Sequence, residues 1–417
     1  MTQDSSVETP AGDRWRILSF SVFAWTVTNL DQSLFGYAVP GIMEEFQVGL
    51  STIGFILAIS FTLAAVLVSI AGFAADHFGR RKTLVVLLAV SALCVAMHSF
   101  VATVAALTIW RALAFGLSGG LAPVTSAYVS EAAPRRYRGM LMGVLQCGYP
   151  LGWFAASLIA APLLESHGWR SIFLVGFAII PVAFLIGWML PESRRFTAAR
   201  ERDAAAGPGA KVDKGALAQL FGPELRRRSI ASIVMFFAFG CAYAGTAFYF
   251  PTYFTQVRGY TPADATYLVG MSNGISIIGY LGAAYVGEYW MTRRNTAALW
   301  CVLGAIALMA MLWLPTLHWH DKVLFAITTT FFYGGNAVIA TLLAELFPTR
   351  IRTTAIAVCG SAPLSLGFAF YPMVVPLAVG AFGWQVALSF MIAPLLLITA
   401  IAALMLPNLR SGTEVPA

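Results

Sequence analysis

Hydrophobic residues occur along this chain in long, nearly unbroken runs that short polar stretches separate. We interpret twelve runs as helices, at residues 17–42, 53–75, 83–101, 105–129, 140–164, 171–190, 229–254, 265–290, 296–314, 323–344, 354–380 and 384–406. A helix needs about 20 apolar residues to cross the hydrocarbon core of a bilayer. The pattern therefore predicts an all-α membrane protein with twelve transmembrane helices.

The amino-acid composition agrees with this interpretation and excludes several classes of protein. Hydrophobic residues make up 59% of the 417 positions and charged residues only 11%, less than half of the roughly 25% typical of soluble domains. A soluble enzyme, a disordered chain and a nucleic-acid-binding module are thereby excluded. The five cysteines all fall within predicted spans, without the spacing of a metal site. No Walker-type nucleotide-binding run is present, and we expect no metal and no cofactor.

The basic residues are distributed unevenly between the two sides of the predicted membrane. With a cytoplasmic N-terminus, 22 of the 26 Lys and Arg lie in cytoplasmic segments. The outer loops hold only Arg170, Arg258 and Lys322, and Arg111 lies within a helix. Since basic residues favour the cytoplasmic side, we expect both termini in the cytoplasm and a location in a bacterial inner membrane. The net charge of +7 is then a topology signal and does not indicate nucleic acid.

A polar, charged linker divides the chain into similar halves. We expect an N-terminal six-helix bundle at 1–190, a cytoplasmic linker at 191–228 and a C-terminal six-helix bundle at 229–417. The segment EAAPRRYRG at 131–139 matches ELFPTRIRT at 345–353 in its Glu, Pro and two Arg positions, 214 residues apart. Parallel repeats of this kind place the substrate path between the halves, near the middle of the membrane, so a monomer suffices.

The loop after the second span resembles a sequence signature of a known family. Residues 72–82 read GFAADHFGRRK, which resembles the signature loop of the major facilitator superfamily. The resemblance implies two pseudo-repeated six-helix bundles, transport by alternating access, and a cytoplasmic charge cluster that holds the halves together. In the second half, GEYWMTRRN from Gly287 lacks the Asp of this loop. The residues we assign to the cytoplasmic gate are Gly72, Asp76, Gly79, Arg80, Arg81, Glu131, Arg138, Glu288, Glu345 and Arg352.

Two charges lie well inside predicted spans, Asp31 in the first and Arg111 in the fourth. Because an unpaired charge there costs about 2.5–3.5 kcal/mol on insertion scales, we expect the two to be partners. We assign them to proton coupling: Asp31 stays ionised beside Arg111 and, once separated from it, favours the neutral, protonated form. Two alternatives stay open, namely a permanent structural pair and direct contact with substrate without proton coupling.

Polar residues within otherwise apolar spans are the candidates for substrate binding. Each either contacts substrate or forms hydrogen bonds between helices. We interpret the Phe-rich runs mainly as lipid-facing or packing surface. The candidate substrate-binding residues are Arg111, Asn29, Gln32, Gln146, Tyr243, Tyr249, Asn273, Tyr333 and Asn336.

The first span indicates a branch of the superfamily. The run NLDQSLFGYAVP from Asn29 resembles the start of symporters of aromatic acids and other organic anions. Gln32 stands where these usually carry Arg, and Ser118 stands where they carry Glu, so the proton-carrying role falls on Asp31. We expect import of a small organic anion, a monocarboxylate or aromatic carboxylate, together with a proton.

Two other functions compete with this hypothesis. Proton-driven export of drugs or metabolites is one, although GYPLG at 148–152 is only a fragment of the exporters' Gly-Pro signature. A membrane nutrient sensor without transport is the other, although the polar tails are short. A membrane enzyme is the least favoured, because no catalytic set or metal cluster lies at one depth.

Overall fold

The computed structural model is helical, and it describes residues 10–134, 138–193, 197, 219–315, 318–347, 351 and 355–408. Most of the expected linker therefore lies outside the described residues. The helices are α1 Ala11–Phe46, α2 Leu50–Phe78, α3 Arg80–Met97, α4 Val104–Gly119, α5 Leu121–Ala132, α6 Arg138–Gln146, α7 Gly148–His167, α8 Val175–Met189, α9 Arg226–Ala247, α10 Phe250–Gln256, α11 Pro262–Tyr289, α12 Arg293–Trp313, α13 His318–Phe332, α14 Asn336–Leu346, α15 Ala362–Phe382 and α16 Trp384–Met405.

Within the described part of the chain, eleven helical segments are long and apolar enough to cross a membrane. Helix α1 is not among them, since Asn29, Asp31 and Gln32 make its middle polar. Its 36 residues nevertheless give it a length of about 54 Å at 1.5 Å per residue. With α1 as a further crossing, the helices account for the twelve spans that the sequence predicts.

Several predicted spans are interrupted helices. The fourth consists of α4 and α5, the fifth of α6 and α7, the seventh of α9 and α10, and the tenth of α13 and α14. In the eleventh span, a π-helical turn at Ala357–Ser361 precedes α15. Interrupted helices and π turns recur at functional sites of transporters.

The described residues form two compact units. The first comprises those within Met1–Gln32, Leu63–Gly152 and Phe173–Asp213, and the second those within Ser33–Thr62, Trp153–Ile172 and Lys214–Ala417. One end each of α1, α2 and α7 therefore belongs to the same unit as the helices of the second half. The domain limits expected near residues 190 and 228 stay a prediction.

Small residues allow close helix packing in both units. In the first unit, a Cβ at Gly176 would collide with the Ala92 carbonyl of α3. In the second unit, a Cβ at Gly54 would collide with the Pro372 carbonyl, and one at Gly270 with Ser157. Close backbone approach at small residues is the usual way in which membrane helices gain packing contacts. It brings α2 onto α15 and α7 onto α11.

The cysteines lie in the protein interior. Cys94, Cys147, Cys241, Cys301 and Cys359 are all free and buried. Among the residues that the structure describes, no group of three or more His, Cys, Asp and Glu side chains could hold a metal ion.

Candidate functional site

Asp31 of α1 and Arg111 of α4 form a buried ion pair in the first unit. Nη1 of Arg111 lies 3.4 Å from Oδ1 of Asp31 and also donates to the Asp31 carbonyl oxygen at 3.5 Å. The exposed fraction of Arg111 is 0% and that of Asp31 is 3%. The predicted partnership of these two charges is confirmed.

Ser118 supplies a third contact to this pair. Its hydroxyl donates to Oδ2 of Asp31 at 3.3 Å, and the guanidinium of Arg111 lies 5.1 Å from the ring centre of Phe115. Sequence reasoning noted Ser118 only as the residue that replaces a carboxylate, and it missed this hydrogen bond. The spacing of Arg111 and Ser118, two helical turns apart on α4, was the available signal.

The ion pair has loose geometry. Its hydrogen bonds measure 3.3–3.5 Å, whereas charge-assisted bonds are ordinarily about 2.7–2.9 Å long. A carboxylate held by long bonds requires little rearrangement to exchange one partner for another. The pair can therefore hold the ionised Asp31 inside the membrane and can also separate.

Neighbouring contacts fix the part of α1 that carries Asp31. Thr28 donates to the Ser118 carbonyl at 3.3 Å, and Nδ2 of Asn29 donates to the Trp25 carbonyl at 2.7 Å. Gly152 of α7 packs so closely on Asn29 that a Cβ there would lie 2.6 Å from the Cβ of Asn29. Asn29, a candidate for substrate binding, thus also serves helix packing.

Two further candidates lie in the first unit without a described side-chain hydrogen bond. Gln32 follows Asp31 on α1 and is 9% exposed. Gln146 is half-buried and ends α6, directly before the break at Cys147. Their assignment to substrate stays a prediction.

The second unit contains a continuous cluster of aromatic side chains. Tyr243 lies 5.3 Å from both Tyr333 and Phe368, measured between ring centres. Phe61 lies 5.1 Å from Phe368 and 5.6 Å from Phe248. These separations favour edge-to-face and offset contacts.

The same series of rings continues to α7 and α1. Trp153 lies 6.2 Å from Phe248 and 5.8 Å from Tyr37, and the Tyr37 hydroxyl donates to the Trp153 carbonyl at 3.0 Å. We define the aromatic cluster as Tyr37, Phe61, Trp153, Tyr243, Phe248, Tyr333 and Phe368. Because we interpreted the Phe-rich runs as mainly lipid-facing or packing surface, the three phenylalanines of this cluster were not among the candidate residues. They belong to the same cluster as the candidates Tyr243 and Tyr333.

The other candidates of the second unit differ in how their polar atoms are satisfied. The Tyr249 hydroxyl donates to the Pro372 carbonyl at 2.6 Å, a bond that serves packing. Asn273 is 1% exposed; its Nδ2 donates to the Val269 carbonyl at 2.9 Å, whereas its Oδ1 has no hydrogen-bond partner among the described residues. Asn336 is half-buried and begins α14. Asn273 thus presents a buried acceptor that a ligand could satisfy.

Two of the first-half residues assigned to the gate, Arg80 and Glu131, form an ion pair within the first unit. Arg80 contacts Glu131 at 3.0 Å, and its Nη1 donates to the Ala75 carbonyl at 2.7 Å. Oε1 of Glu192 accepts from the backbone N–H of Arg80 at 3.0 Å and of Arg81 at 3.2 Å. Glu192 thereby caps α3, where a carboxylate is favoured by the exposed N–H groups; sequence reasoning missed this role.

The two glycines of the signature loop differ in conformation and surroundings. Gly79 has φ 103°, a conformation that requires glycine. A Cβ at Gly72 would meet no described atom within 4 Å, and the assignment of Gly72 to the gate stays a prediction. The side chains of Asp76 and Arg138 and the whole of Arg352 lie outside the described residues.

A corresponding charge cluster lies in the second unit. Arg293 contacts Glu288 at 2.6 Å and also pairs with Glu345. This pairing joins α11, α12 and α14 within one half. The expectation that such clusters join the two halves stays untested.

A second buried ion pair was missed by sequence reasoning. Arg258, expected in an outer loop, is 6% exposed, and Asp321 is 2% exposed; their side chains lie 3.7 Å apart. Arg258 donates to the Tyr253 hydroxyl at 2.9 Å and to the Met311 carbonyl at 2.5 Å, and the Tyr260 hydroxyl donates to Asp321 at 3.3 Å. Asp31 and Arg111 are therefore not the only buried charges. The error arose because α13 begins at His318, five residues before the predicted span.

Comparison with known proteins places these features in a family. The chain is 30% identical over 357 residues to the cis,cis-muconate transport protein of Acinetobacter baylyi, covering 82% of each protein. It is 24% identical over 371 residues to a gallate transporter of Pseudomonas putida, covering 83% of this chain and 81% of that one. A 4-hydroxybenzoate transporter of Acinetobacter baylyi is 23% identical over 372 residues, with 82% and 80% coverage.

Solved structures show the same fold. The D-xylose-proton symporter superposes with a TM-score of 0.74 at 18% identity, covering 96% of this chain and 99% of that chain. A bacterial homolog of the human lysosomal transporter Spinster, in an inward-facing and unoccupied conformation, gives a TM-score of 0.69 at 16% identity, with 95% and 96% coverage. The profile described as Major Facilitator Superfamily matches residues 21–358. The chain belongs to this superfamily and is a multi-pass secondary transporter, not an enzyme.

Proposed function

We propose that this transporter imports a small organic anion carrying an aromatic or conjugated carboxylate, together with a proton, by alternating access. The observation that carries the proposal is the buried, loosely bonded Asp31–Arg111 pair. A carboxylate buried in a membrane helix is expensive and is typically functional. It can bind a proton in one state and an arginine in the other.

Arg111 supports the anion part of the proposal. A guanidinium presents several donors that match a carboxylate, and this one is held by long bonds to Asp31. When Asp31 is neutralised by a proton, the guanidinium becomes a partner for another carboxylate. Proton and anion would then bind in a coupled manner, which symport requires.

The aromatic cluster supports the ring-bearing part of the proposal. Phe61 and Tyr243 both contact Phe368, within the second unit. A planar conjugated substrate finds faces and edges for stacking there, worth about 0.5–1.5 kcal/mol per aromatic contact. The relatives described above are transporters of muconate, gallate and 4-hydroxybenzoate, which agrees with this chemistry.

Proton-driven export is less well supported. Gly148 packs on Trp25 and Val22 of α1, and Gly152 packs on Asn29. The GYPLG fragment is therefore accounted for by helix packing. The direction of transport remains part of the proposal. So does the cytoplasmic placement of both termini, which the distribution of Lys and Arg supports.

The test is proton movement in dye-loaded proteoliposomes challenged with carboxylates, sugars and amines. We expect aromatic or conjugated carboxylates to acidify the lumen of vesicles with the native chain and not with Asp31→Asn. Asp264→Asn is the matched control, because Asp264 is exposed and its carboxylate accepts from the hydroxyl of Thr261, the residue that caps α11. Alkalinisation of the lumen by amines would contradict import and favour proton-driven export. Ligand binding without flux would contradict transport and favour a sensor.

Recognition of the ring has its own test. Phe368→Leu removes the ring that contacts both Phe61 and Tyr243. Phe390→Leu removes a ring that is 73% exposed on α16. We expect Phe368→Leu to raise KM for aromatic carboxylates about tenfold, the equivalent of roughly one aromatic contact. KM for an aliphatic monocarboxylate should change less. Equal effects of the two variants would remove the aromatic cluster from the site.

A further inference from the structure

An apolar groove runs between the beginning of α9 and the end of α16 in the second unit. Its volume is about 480 Å³, and its walls include Ile230 and Val234 of α9 together with Ile398, Ile401 and Met405 of α16. These side chains are between 40% and 60% exposed. The groove therefore opens outward from the helices, where the hydrocarbon of a bilayer surrounds a membrane protein.

Two arginines stand at one end of this groove. Arg226 and Arg227 line it and are exposed, and within the described residues neither side chain forms a hydrogen bond or an ion pair. Other arginines at this end are engaged: Arg228 donates to the Leu346 carbonyl at 3.3 Å, and Arg294 donates to the Leu406 carbonyl at 2.8 Å. The nearest acid in sequence, Glu224, is exposed. Two adjacent guanidiniums thus keep their donors available where an apolar groove begins.

The combination of charge and groove defines a ligand. We propose that the α9–α16 groove binds an anionic glycerophospholipid, with its phosphate on Arg226 and Arg227 and an acyl chain against Val234 and Ile398. Guanidinium and phosphate match in geometry and charge. From Arg226 to Val234 the helix rises about 12 Å. The apolar walls therefore extend along the part of an acyl chain nearest to the headgroup. Basic pockets between membrane helices are suited to anionic headgroups.

The chemistry favours an anionic lipid over a zwitterionic one. A choline headgroup carries its own positive charge, which the two guanidiniums repel. A phosphatidylglycerol headgroup carries no such charge. Each basic residue near an anionic lipid surface contributes about 1 kcal/mol of attraction. Loss of both arginines should therefore weaken phosphatidylglycerol binding about twentyfold to thirtyfold.

The experiment is native mass spectrometry of the full-length protein released from detergent. The protein is titrated with phosphatidylglycerol or with phosphatidylcholine of the same acyl chains. We expect the native chain to retain phosphatidylglycerol at lower lipid concentration than phosphatidylcholine. R226Q/R227Q should lose this preference, whereas R16Q/K322Q, which removes two exposed charges elsewhere, should keep it.

A second pair of variants tests the apolar part of the groove. Val234→Trp fills the groove, and Ile278→Trp places the same side chain at a position on α11 that is 69% exposed. We expect Val234→Trp alone to lower phosphatidylglycerol retention, with thermal stability in detergent reporting that both variants are folded. Equal retention of the two lipids by the native chain, or equal losses in the two charge variants, would overturn the proposal. Occupation of the groove by the linker would give the first of these results.

Discussion

The two buried ion pairs of this transporter differ in what holds their arginines. In the first unit, Nη1 of Arg111 donates to the Asp31 carboxylate at 3.4 Å and to the Asp31 main-chain carbonyl at 3.5 Å. In the second unit, Arg258 lies 3.7 Å from Asp321 but donates to the Met311 carbonyl at 2.5 Å. Arg258 therefore has short bonds to neutral acceptors on other residues, which protonation of its acid does not remove. The neutral acceptor described for Arg111, the Asp31 carbonyl, lies at 3.5 Å.

Under the proposed mechanism, burial alone does not identify a coupling site. Both pairs are nearly inaccessible, and breaking a buried pair is costly in either case. What distinguishes them is the dependence of the arginine on the charge state of its acid. Neutralising Asp31 weakens the shorter of the two described bonds from Nη1 of Arg111, the one to the carboxylate. Neutralising Asp321 leaves the Arg258 bonds to Tyr253 and Met311 in place.

Exchange of the two acids for amides should give the largest contrast. We expect Asp31→Asn to lower proton-driven accumulation of substrate at least about a hundredfold, because an amide cannot bind and release the proton that couples substrate to the gradient. Substrate exchange without a gradient should persist. Asp321→Asn should retain most of the accumulation. Uptake and counterflow in the same proteoliposomes measure both quantities, and similar losses in the two variants would make Asp31 merely structural.

Replacement of each arginine by lysine should separate the pairs again. Lysine keeps the charge but loses the planar set of donors. We expect Arg111→Lys to raise KM for the anion about tenfold or more, while Arg258→Lys should mainly lower the Tm through lost bonds to Tyr253 and Met311. Initial uptake rates and thermal unfolding in detergent provide the two readouts. A rise in KM for Arg258→Lys alone would assign anion binding to the second pair.

Ser118 offers a milder change at the first pair. Ser118→Ala removes a hydrogen bond that favours the ionised form of Asp31, worth about 1.5–3 kcal/mol for a bond to a charged group in ordinary geometry and less at 3.3 Å. Because the protonated form then becomes relatively more favourable, we expect the pH profile of uptake to move toward higher pH. An unchanged profile would mean that this hydroxyl does not influence the proton site.

Tyr260 gives the smallest expected effect, on the second pair. Burial, together with Asp321, raises the pKa of Tyr260 to about 12, so its hydroxyl remains a donor to Asp321 at neutral pH. Its contribution to stability is present below pH 10, the pKa of an ordinary tyrosine, and is lost as pH rises toward 12. Tyr260→Phe should cost about 1 kcal/mol and flatten the alkaline fall in Tm. A normal fall in the variant would contradict this.

The sequence predicted the twelve crossings and the partnership of Asp31 with Arg111, because long apolar runs make isolated charges conspicuous. It did not reveal Arg258 and Asp321, which lie near helix ends where the predicted boundaries were several residues too short. Phe61, Phe248 and Phe368 escaped for a different reason. Lipid is as apolar as a protein interior, so hydrophobicity does not separate rings that face lipid from rings that face one another.

The burial of all five thiols has a practical consequence for following the motion of this transporter. Cys94, Cys147, Cys241, Cys301 and Cys359 are free and enclosed by neighbouring side chains. A thiol-reactive spin label or fluorophore needs an accessible thiolate, so the native chain presents a quiet background. A pair of cysteines introduced at exposed positions, such as Trp15 and Phe221, can therefore be labelled selectively. Distances between the labels can then be recorded with and without substrate, in a protein that keeps its own cysteines.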